Sequence, residues 1–204
     1  MLSRRAIVVG SVAGLFSASN AHATSLSSDE VTVGADNARI HLVEYASMTC
    51  PHCAHFHAEA WAALKAEYID TGRVKYTLRE MATPPAVVAL GMFQVARCET
   101  TDPHEYFRRV AILFERQPQI LSAGTIAGVQ QTLVALGAEW QLSEAQIVAC
   151  LTDAAGRERI IRSIEAADAR GVTGTPAFFL NDARLDDPNI HSLAGLRQIL
   201  DAAG

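Results

Sequence analysis

Residues 44–57 of the chain read EYASMTCPHCAHFH, with cysteines at positions 50 and 53. From Pro51 onward, apolar residues recur at spacings of three and four, which predicts an amphipathic helix running to about Asp70. Proline favours the first position of a helix, so Cys50 is the expected N-cap residue. Cys53 falls one turn into the helix, on its buried face. The chain therefore places one thiol at a helix N-terminus and a second thiol just inside it.

This placement predicts two thiols of unequal reactivity. An N-cap side chain accepts hydrogen bonds from the backbone N–H groups of the second and third helical residues, here His52 and Cys53. The helix dipole adds partial positive charge there, so the thiolate of Cys50 is favoured over its thiol. The His52 ring would supply a further donor or a positive charge. An exposed nucleophile of low pKa beside a shielded resolving thiol is what disulfide exchange requires.

Other uses of the two cysteines fit the sequence less well. A c-type haem site needs a histidine directly after the second cysteine, and Ala54 stands there. A zinc or copper site could recruit His52, His55 or His57, but the last two point to different sides of a helix, and no second CxxC completes a structural zinc site. A purely structural disulfide would not need the proline and the N-cap placement. Metal binding stays as the weaker alternative, and no metal or other cofactor is expected.

Composition limits the protein class. Half of the 204 residues are apolar, and the formal net charge is −5. That apolar fraction is ample for a packed core, and the length suits one domain, with room for an insertion. The acidic balance creates no general attraction to nucleic acid or to anionic lipid, so neither is expected as a partner.

Residues 1–23 have the features of a secretory signal peptide. Arg4 and Arg5 precede an apolar run at 6–16, and Ala21-His22-Ala23 supplies a cleavage pattern. The run is too short to span a hydrocarbon core of about 30 Å. An apolar N-terminal helix of a cytosolic protein is the alternative, but the order of the features favours cleavage after Ala23. The sequence therefore predicts an exported protein in an oxidising compartment, with Sec and twin-arginine export both open.

The remaining elements alternate between strand and helix. Strands are predicted at residues 39–46, 73–80 and 177–180, with a short strand around Arg184. A last helix is predicted from about residue 190 to residue 202. Residues 84–170 contain no convincing strand. Helix-start patterns recur there, at Asp102-Pro103-His104-Glu105 and at Ser143-Glu144-Ala145-Gln146. This stretch of roughly 85 residues is interpreted as a helical insertion.

Two separated motifs resemble the thioredoxin superfamily. Residues 44–57 look like its active-site segment, and their Cys-Pro-His-Cys form is similar to that of DsbA-type periplasmic oxidants. Residues 171–179, GVTGTPAFF, resemble the cis-proline loop of the same family. The resemblance covers nearly all of residues 31–204.

The resemblance implies an α/β thioredoxin-like fold, in which a central mixed β-sheet is flanked by helices and carries an inserted all-helical domain. The implied thioredoxin-like parts are residues 24–83 and 171–204, and the helical domain is 84–170. Residues 81–85, MATPP, lack the usual Phe-Pro stretch. The N-terminal extension is too short for the dimerisation domain of DsbC- or DsbG-type isomerases.

The resemblance also implies roles for individual residues. Pro176 would follow a cis peptide bond and Thr175 would offer backbone groups to a substrate, whereas an ordinary trans proline opening a strand is the alternative. Glu44 shares strand parity with Ile40 and Leu42, and is a candidate buried carboxylate that receives the proton of Cys53, whereas an exposed residue at a strand edge is the alternative.

Cys98 and Cys150 form a second candidate pair. In an exported protein with four cysteines they are expected to be joined, as in some DsbA-like proteins, and two free thiols are the alternative. A bridge would brace the helical insertion.

The implied function is that of a periplasmic thiol:disulfide oxidoreductase. Its substrates would be reduced exported proteins, a quinone-linked membrane protein would reoxidise it, and the chain would act as a monomer. An isomerase or reductase is the first alternative, because threonine also precedes the proline in DsbC- and DsbG-like enzymes. A copper or zinc carrier is the second.

Overall fold

The computed structural model describes residues 30–204. The predicted signal peptide and its cleavage site after Ala23 lie outside the described residues. Within residues 30–204, no helix is both long enough and apolar enough to cross a bilayer.

Five strands form one mixed sheet, in the order β1-β3-β2-β4-β5. The central strand β2 is parallel to β3 and antiparallel to β4, and both edge strands are antiparallel to their neighbours. The short strand β1 has no counterpart in the sequence prediction, because three residues are too few to display an alternating pattern. The strands are β1 (Val31–Val33), β2 (Ile40–Ser47), β3 (Val74–Met81), β4 (Ala177–Leu180) and β5 (Ala183–Leu185).

The helix after β2 is less regular than predicted, because α-helical turns alternate with wider π-helical turns. The residues predicted to line one face are all buried nevertheless, since each π turn shifts the register by only one residue. These residues are Cys53, Phe56, Ala60, Leu64 and Tyr68. The consecutive segments are α1 (Pro51–Phe56), a π segment at His57–Trp61, α2 (Ala62–Leu64) and a π segment at Lys65–Ile69.

Six further helices lie between β3 and β4, where the sequence predicted helices alone. Their capping follows the sequence: the Asp102 carboxylate accepts from the N–H of His104 at 2.9 Å, and Ser143 forms a capping box with Gln146. The helices are α3 (Ala86–Arg97), α4 (Pro103–Glu115), α5 (Gln117–Ser122), α6 (Ile126–Glu139), α7 (Glu144–Leu151) and α8 (Ala154–Ala169).

The last helix begins later than predicted. Pro188 opens a 3₁₀ turn at Pro188–His191, and α9 (Leu193–Ala203) follows it. Ser192 separates the two, because its hydroxyl accepts from the N–H of Gly195 at 3.1 Å and caps α9.

Both faces of the sheet are covered. On one face, Val43, Tyr45 and Phe179 pack with Ala167 at the end of α8 and with Val172. The larger core lies on the other face, where the helix after β2 and α9 pack together with helices of the segment between β3 and β4. The central strand is therefore buried on both sides, and its polar residues Glu44 and Ser47 are fully buried together with its apolar ones.

A disulfide joins Cys98, directly after α3, to Cys150 in α7, with the two Cα atoms 5.6 Å apart. The Arg109 guanidinium donates to the carbonyl oxygen of Cys98 from α4. The bridge spans 52 positions of the chain and ties together helices that are distant in sequence.

Reduction of this bridge should lower the free energy of unfolding by about 2–4 kcal/mol, because a long loop is then released in the unfolded chain. The measurement is urea denaturation of the Cys50→Ala/Cys53→Ala variant with and without dithiothreitol. The same comparison on a variant that also carries Cys98→Ala and Cys150→Ala is the control, and there the reductant should change nothing. An equal effect of dithiothreitol on both variants would contradict the prediction.

Candidate active site

The two cysteines of the motif lie where the central strand passes into the first helix. Cys50 is the N-cap of α1, with φ −82° and ψ 120°, and Pro51 occupies the first helical position, as predicted. The N–H of Cys50 donates to the carbonyl of Ser47 at 3.0 Å, and its own carbonyl accepts from Ala54 at 3.2 Å. A tight turn at the end of β2 therefore delivers the first thiol to the helix N-terminus.

Cys50 is less exposed than expected. Only 5% of its surface is accessible. Its thiol does not form the predicted capping hydrogen bond and instead donates to the carbonyl oxygen of Thr175 at 3.2 Å. The expectation of an openly exposed nucleophile is therefore wrong for the dithiol form, because the loop before β4 packs directly against the sulfur.

The surroundings of Cys50 lower its pKa to about 5. The largest cause is the Cys53 thiol, which donates a hydrogen bond to the sulfur, and burial opposes it. The Thr175 hydroxyl lowers the pKa further, as do the backbone N–H groups of Cys53 and His52. That hydroxyl is buried and has no hydrogen-bond partner in the described chain, so it is free to donate to a thiolate. The His52 side chain itself is exposed.

The environment of Cys53 acts in the opposite direction. This thiol is fully buried, and burial raises its pKa far above the ordinary value. The interaction with Cys50 and the negative charge of Glu44 raise it further. The two shifts therefore favour the thiolate at Cys50 and the thiol at Cys53, in the same sense as the sequence prediction.

Glu44 is fully buried in the middle of β2, and its charge acts on the Cys53 thiol. Its Oε2 accepts a hydrogen bond from the hydroxyl of Tyr76 on β3 and lies 3.2 Å from Nε2 of His57. Tyr76 is fully buried, and burial raises its pKa well above the ordinary value, so it stays a donor. The structure places the carboxylate where the sequence predicted one and adds two partners that the sequence did not indicate.

The loop at residues 173–176 forms the other wall of the site. The Thr175–Pro176 peptide bond is cis, and a second cis bond joins Pro84 to Pro85. A groove of about 390 Å3 lies beside the loop at residues 173–176, and its lining includes Arg184 and His191. The loop reaches Cys50 because β4 pairs antiparallel to β2, with Ala177 opposite Tyr45.

Gln117 at the start of α5 is a site residue that the sequence analysis did not identify. Its side chain is buried, and its Nε2 donates to the carbonyls of Met48 and Cys50 at 2.8 and 3.0 Å. No sequence signal could have revealed this contact, because both partners are backbone atoms more than sixty positions earlier. The helical segment thereby holds the turn that carries the nucleophile.

A cluster of hydroxyl groups, also absent from the sequence prediction, braces the same turn. The Ser47 hydroxyl accepts from the N–H and the hydroxyl of Thr83, both at 2.9 Å. The Thr49 hydroxyl donates to the Thr83 carbonyl at 2.7 Å. These bonds join the ends of the parallel strands β2 and β3 beneath the thiols.

The residues considered as metal ligands do not converge. His52 and His55 are exposed, whereas His57 is buried against Glu44. Across residues 30–204, no group of three histidine, cysteine, aspartate or glutamate side chains has the arrangement of a metal site.

Comparison of the chain with known proteins identifies its family and similar solved structures. The sequence model described as thioredoxin matches residues 26–202. A Rickettsia typhi protein that is named as a protein-disulfide oxidoreductase is 26% identical over 170 residues, which cover 83% of this chain. The aligned region spans only 61% of that longer relative.

Two solved structures are similar over most of the chain. A protein-disulfide isomerase from Novosphingobium aromaticivorans superposes with a TM-score of 0.74 at 23% identity, covering 87% of this chain and 98% of the other. The alpha-DsbA1 protein of Wolbachia pipientis superposes with a TM-score of 0.70 at 23% identity, covering 85% and 90%. The expected thioredoxin-like fold is thereby confirmed, with its mixed sheet, flanking helices and helical insertion.

The acidity of Cys50 predicts a thiolate titration with a midpoint near pH 5. Thiolate absorbance at 240 nm of the reduced protein measures it, and Cys50→Ser should remove the transition. Because the folded pKa lies below that of an unfolded cysteine, the stabilisation of the reduced form is complete above the unfolded value of about 8.5 and is lost as the pH falls toward 5.

Thr175→Val should move that midpoint upward by roughly one pH unit, because the thiolate loses a hydroxyl donor. Thr173→Val, the same change at an exposed position of the same loop, is the matched control and should leave the midpoint in place. An unchanged midpoint in Thr175→Val would show that the hydroxyl does not reach the sulfur.

Gln117→Met should lower the free energy of unfolding of the reduced protein by about 1–3 kcal/mol, because two buried carbonyls lose their donor while the side-chain volume is retained. Chemical denaturation measures the change. Gln119→Met, on the exposed side of α5, is the control and should stay within about 0.5 kcal/mol of the wild type. Equal stability of the two variants would contradict the role of Gln117.

Proposed function

The chain belongs to the thioredoxin family, and we propose from this premise that it is a DsbA-like thiol:disulfide oxidoreductase that introduces disulfide bonds into exported proteins. A substrate thiolate attacks the Cys50 sulfur of the oxidised enzyme, and the electron pair of the broken Cys50–Cys53 bond passes to the Cys53 sulfur. A second substrate thiolate then attacks the substrate sulfur of the mixed disulfide, and Cys50 leaves as a thiolate. The substrate gains a disulfide, and the enzyme becomes the dithiol.

The observation that carries this proposal is the opposite shift of the two cysteine pKa values. The pKa of Cys50 is lowered to about 5, so Cys50 is a good leaving group from a mixed disulfide. Burial raises the pKa of Cys53, which keeps that thiol protonated and inaccessible to substrates. Among the site residues, Pro51 starts the helix, and Thr175 with Pro176 forms the wall against which a substrate chain would lie.

The same shift of the Cys50 pKa supports the proposed direction of the reaction. A thiolate stabilised in the reduced enzyme favours reduction of the enzyme and therefore oxidation of the substrate. We accordingly propose an oxidant rather than a reductant. The proposal includes export to the periplasm, action as a monomer, and reoxidation by a quinone-linked membrane protein. It also includes the assignment of residues 84–170 as an inserted helical domain.

A disulfide isomerase is the second candidate function. The name of the Novosphingobium relative favours it, and so does Thr175, the residue before the cis proline. An isomerase uses the same first attack by Cys50 but is maintained as the dithiol. The two functions differ in reduction potential and in the substrates that they convert.

The Cys50–Cys53 reduction potential tests the proposal. It is measured by equilibration of residues 24–204 with glutathione buffers in the Cys98→Ala/Cys150→Ala background, so that only one couple is observed. An oxidant should have a potential between about −80 and −170 mV, near the DsbA value. A potential below about −220 mV would contradict the proposal and favour a reductase.

Activity assays separate oxidase from isomerase. The oxidised protein should form disulfides in a reduced, unfolded ribonuclease and should rescue scrambled ribonuclease poorly. Efficient recovery of scrambled ribonuclease by the reduced protein would instead support the isomerase. Cys50→Ser should be inactive in either assay. Stoichiometric binding of Cu(I) or Zn(II) by the wild type, lost in Cys50→Ser, would instead favour the metal carrier.

A further inference from the structure

The proposed exchange creates a problem for Cys53. When the Cys50–Cys53 bond breaks, Cys53 leaves as a thiolate in a fully buried position, close to the negative charge of Glu44. Such an anion is strongly disfavoured, so a proton must arrive as the bond breaks. In the reverse step, when Cys53 attacks a mixed disulfide, the same proton must leave.

Glu44 alone is an incomplete partner for this transfer. Its Oε2 is already engaged by the Tyr76 hydroxyl, which burial keeps protonated. Its Oε1 has no hydrogen-bond partner within the described chain. A fully buried carboxylate in this state is costly unless a second group shares its charge.

His57 is the group that meets Glu44. It lies one turn beyond Cys53 on the same helix, and only 2% of its side chain is accessible. Its ring stacks on Phe114, with the ring centroids 4.3 Å apart, and on Trp61 at 5.5 Å. Stacking alone would account for a buried aromatic ring, but it does not require Nε2 to lie 3.2 Å from a carboxylate oxygen. Because the carboxylate can only accept, Nε2 carries a proton whenever Glu44 is ionised.

The resemblance already implies that Glu44 exchanges a proton with Cys53. We propose that His57 shares this proton with Glu44, so that the two act as one proton-sharing pair when Cys53 is protonated on leaving and deprotonated in the reverse step. His57 is the positioning and proton-sharing member, and this inference rests on the proposed function. In the forward step the pair gives up one proton, Cys53 gains it with the electron pair of the broken bond, and Cys50 bonds to the substrate sulfur. In the reverse step the Cys53 proton returns to the pair, Cys53 bonds to Cys50, and the substrate leaves as a thiolate.

The neighbouring titratable groups do not replace this pair. Burial raises the pKa values of Tyr76 and of Tyr106 on α4 well above the ordinary range, so both stay protonated. Glu80 is held in an ion pair with Arg97 at 2.8 Å. Cys53, Tyr76 and Tyr106 are the titratable groups that interact with Glu44 from the surrounding elements, and the Glu80–Arg97 pair lies against Tyr106.

Release of glutathione from Cys50 tests the pair directly. The full exported chain is prepared with glutathione on Cys50, and its release by attack of Cys53 is followed between pH 5 and 9. His57→Gln keeps a hydrogen-bond donor to Glu44 but cannot take up a proton. It should slow release at pH 7 by at least about tenfold and make the rate rise steeply with pH, because hydroxide must then remove the Cys53 proton.

His55→Gln is the matched control, since His55 is exposed on the same helix. His55→Gln should keep the wild-type dependence of the release rate on pH. In the dithiol form, alkylation of Cys50 should be equally fast in the wild type, His57→Gln and His55→Gln. A folded His57→Gln with the wild-type pH profile overturns the inference. Failure of the wild type to release glutathione at any pH would instead refute the proposed function, so the two failures are distinguishable.

A second measurement keeps the inference testable if His57→Gln does not fold. The ¹⁵N shifts of the His57 ring in the wild type should differ between the oxidised protein and the dithiol at constant pH, because the proton distribution of the pair follows the state of Cys53. Identical shifts in the two redox states would overturn the inference.

Discussion

The contact between the Cys50 sulfur and the loop at Thr175 is the interaction on which the rest of the site depends. It brings together a helix N-terminus and a backbone segment that are 125 positions apart. Antiparallel pairing of β2 with β4 produces it, because the residue before Ala177 then lies at the edge where α1 begins. The thiolate is stabilised there by donors from both segments.

The sheet also contains buried charged groups. The adjacent parallel strands β2 and β3 each carry one fully buried carboxylate, Glu44 and Glu80. Each carboxylate accepts from a tyrosine hydroxyl and meets one basic side chain, which is His57 for the first and Arg97 for the second. Arginine stays charged, so the Glu80–Arg97 pair is structural, whereas an imidazole ring such as that of His57 can carry one or two ring protons.

The helices between β3 and β4 do more than cover the sheet. Gln117 binds the carbonyls of the turn that carries Cys50, and Phe114 stacks on the histidine beside Glu44. Both contacts come from α4 and α5, and the Cys98–Cys150 bridge ties α3 to α7 in the same segment. These helices therefore hold the turn that carries Cys50 and pack against the His57 ring.

Local sequence was enough to identify the helix that begins at Pro51, its buried face, the order of the main elements and the inequality of the two thiols. Each of these follows from interactions between residues a few positions apart, such as capping, helical periodicity and the helix dipole. The resemblance of two motifs to a known family supplied the pairing of those motifs and the fold.

The tertiary structure alone decided which groups surround the sulfur atoms. The Thr175 hydroxyl and the Gln117 amide reach the site through packing of elements distant in the chain, and the His57 ring meets Glu44 because the helix after β2 packs on the sheet. The partners of Gln117 are backbone carbonyls, which leave no trace in the sequence. The same packing buries Cys50, against the expectation of an exposed thiol. Reactivity at the site is set by burial and by the direction of individual hydrogen bonds, and neither exists until the sheet and the helices are assembled.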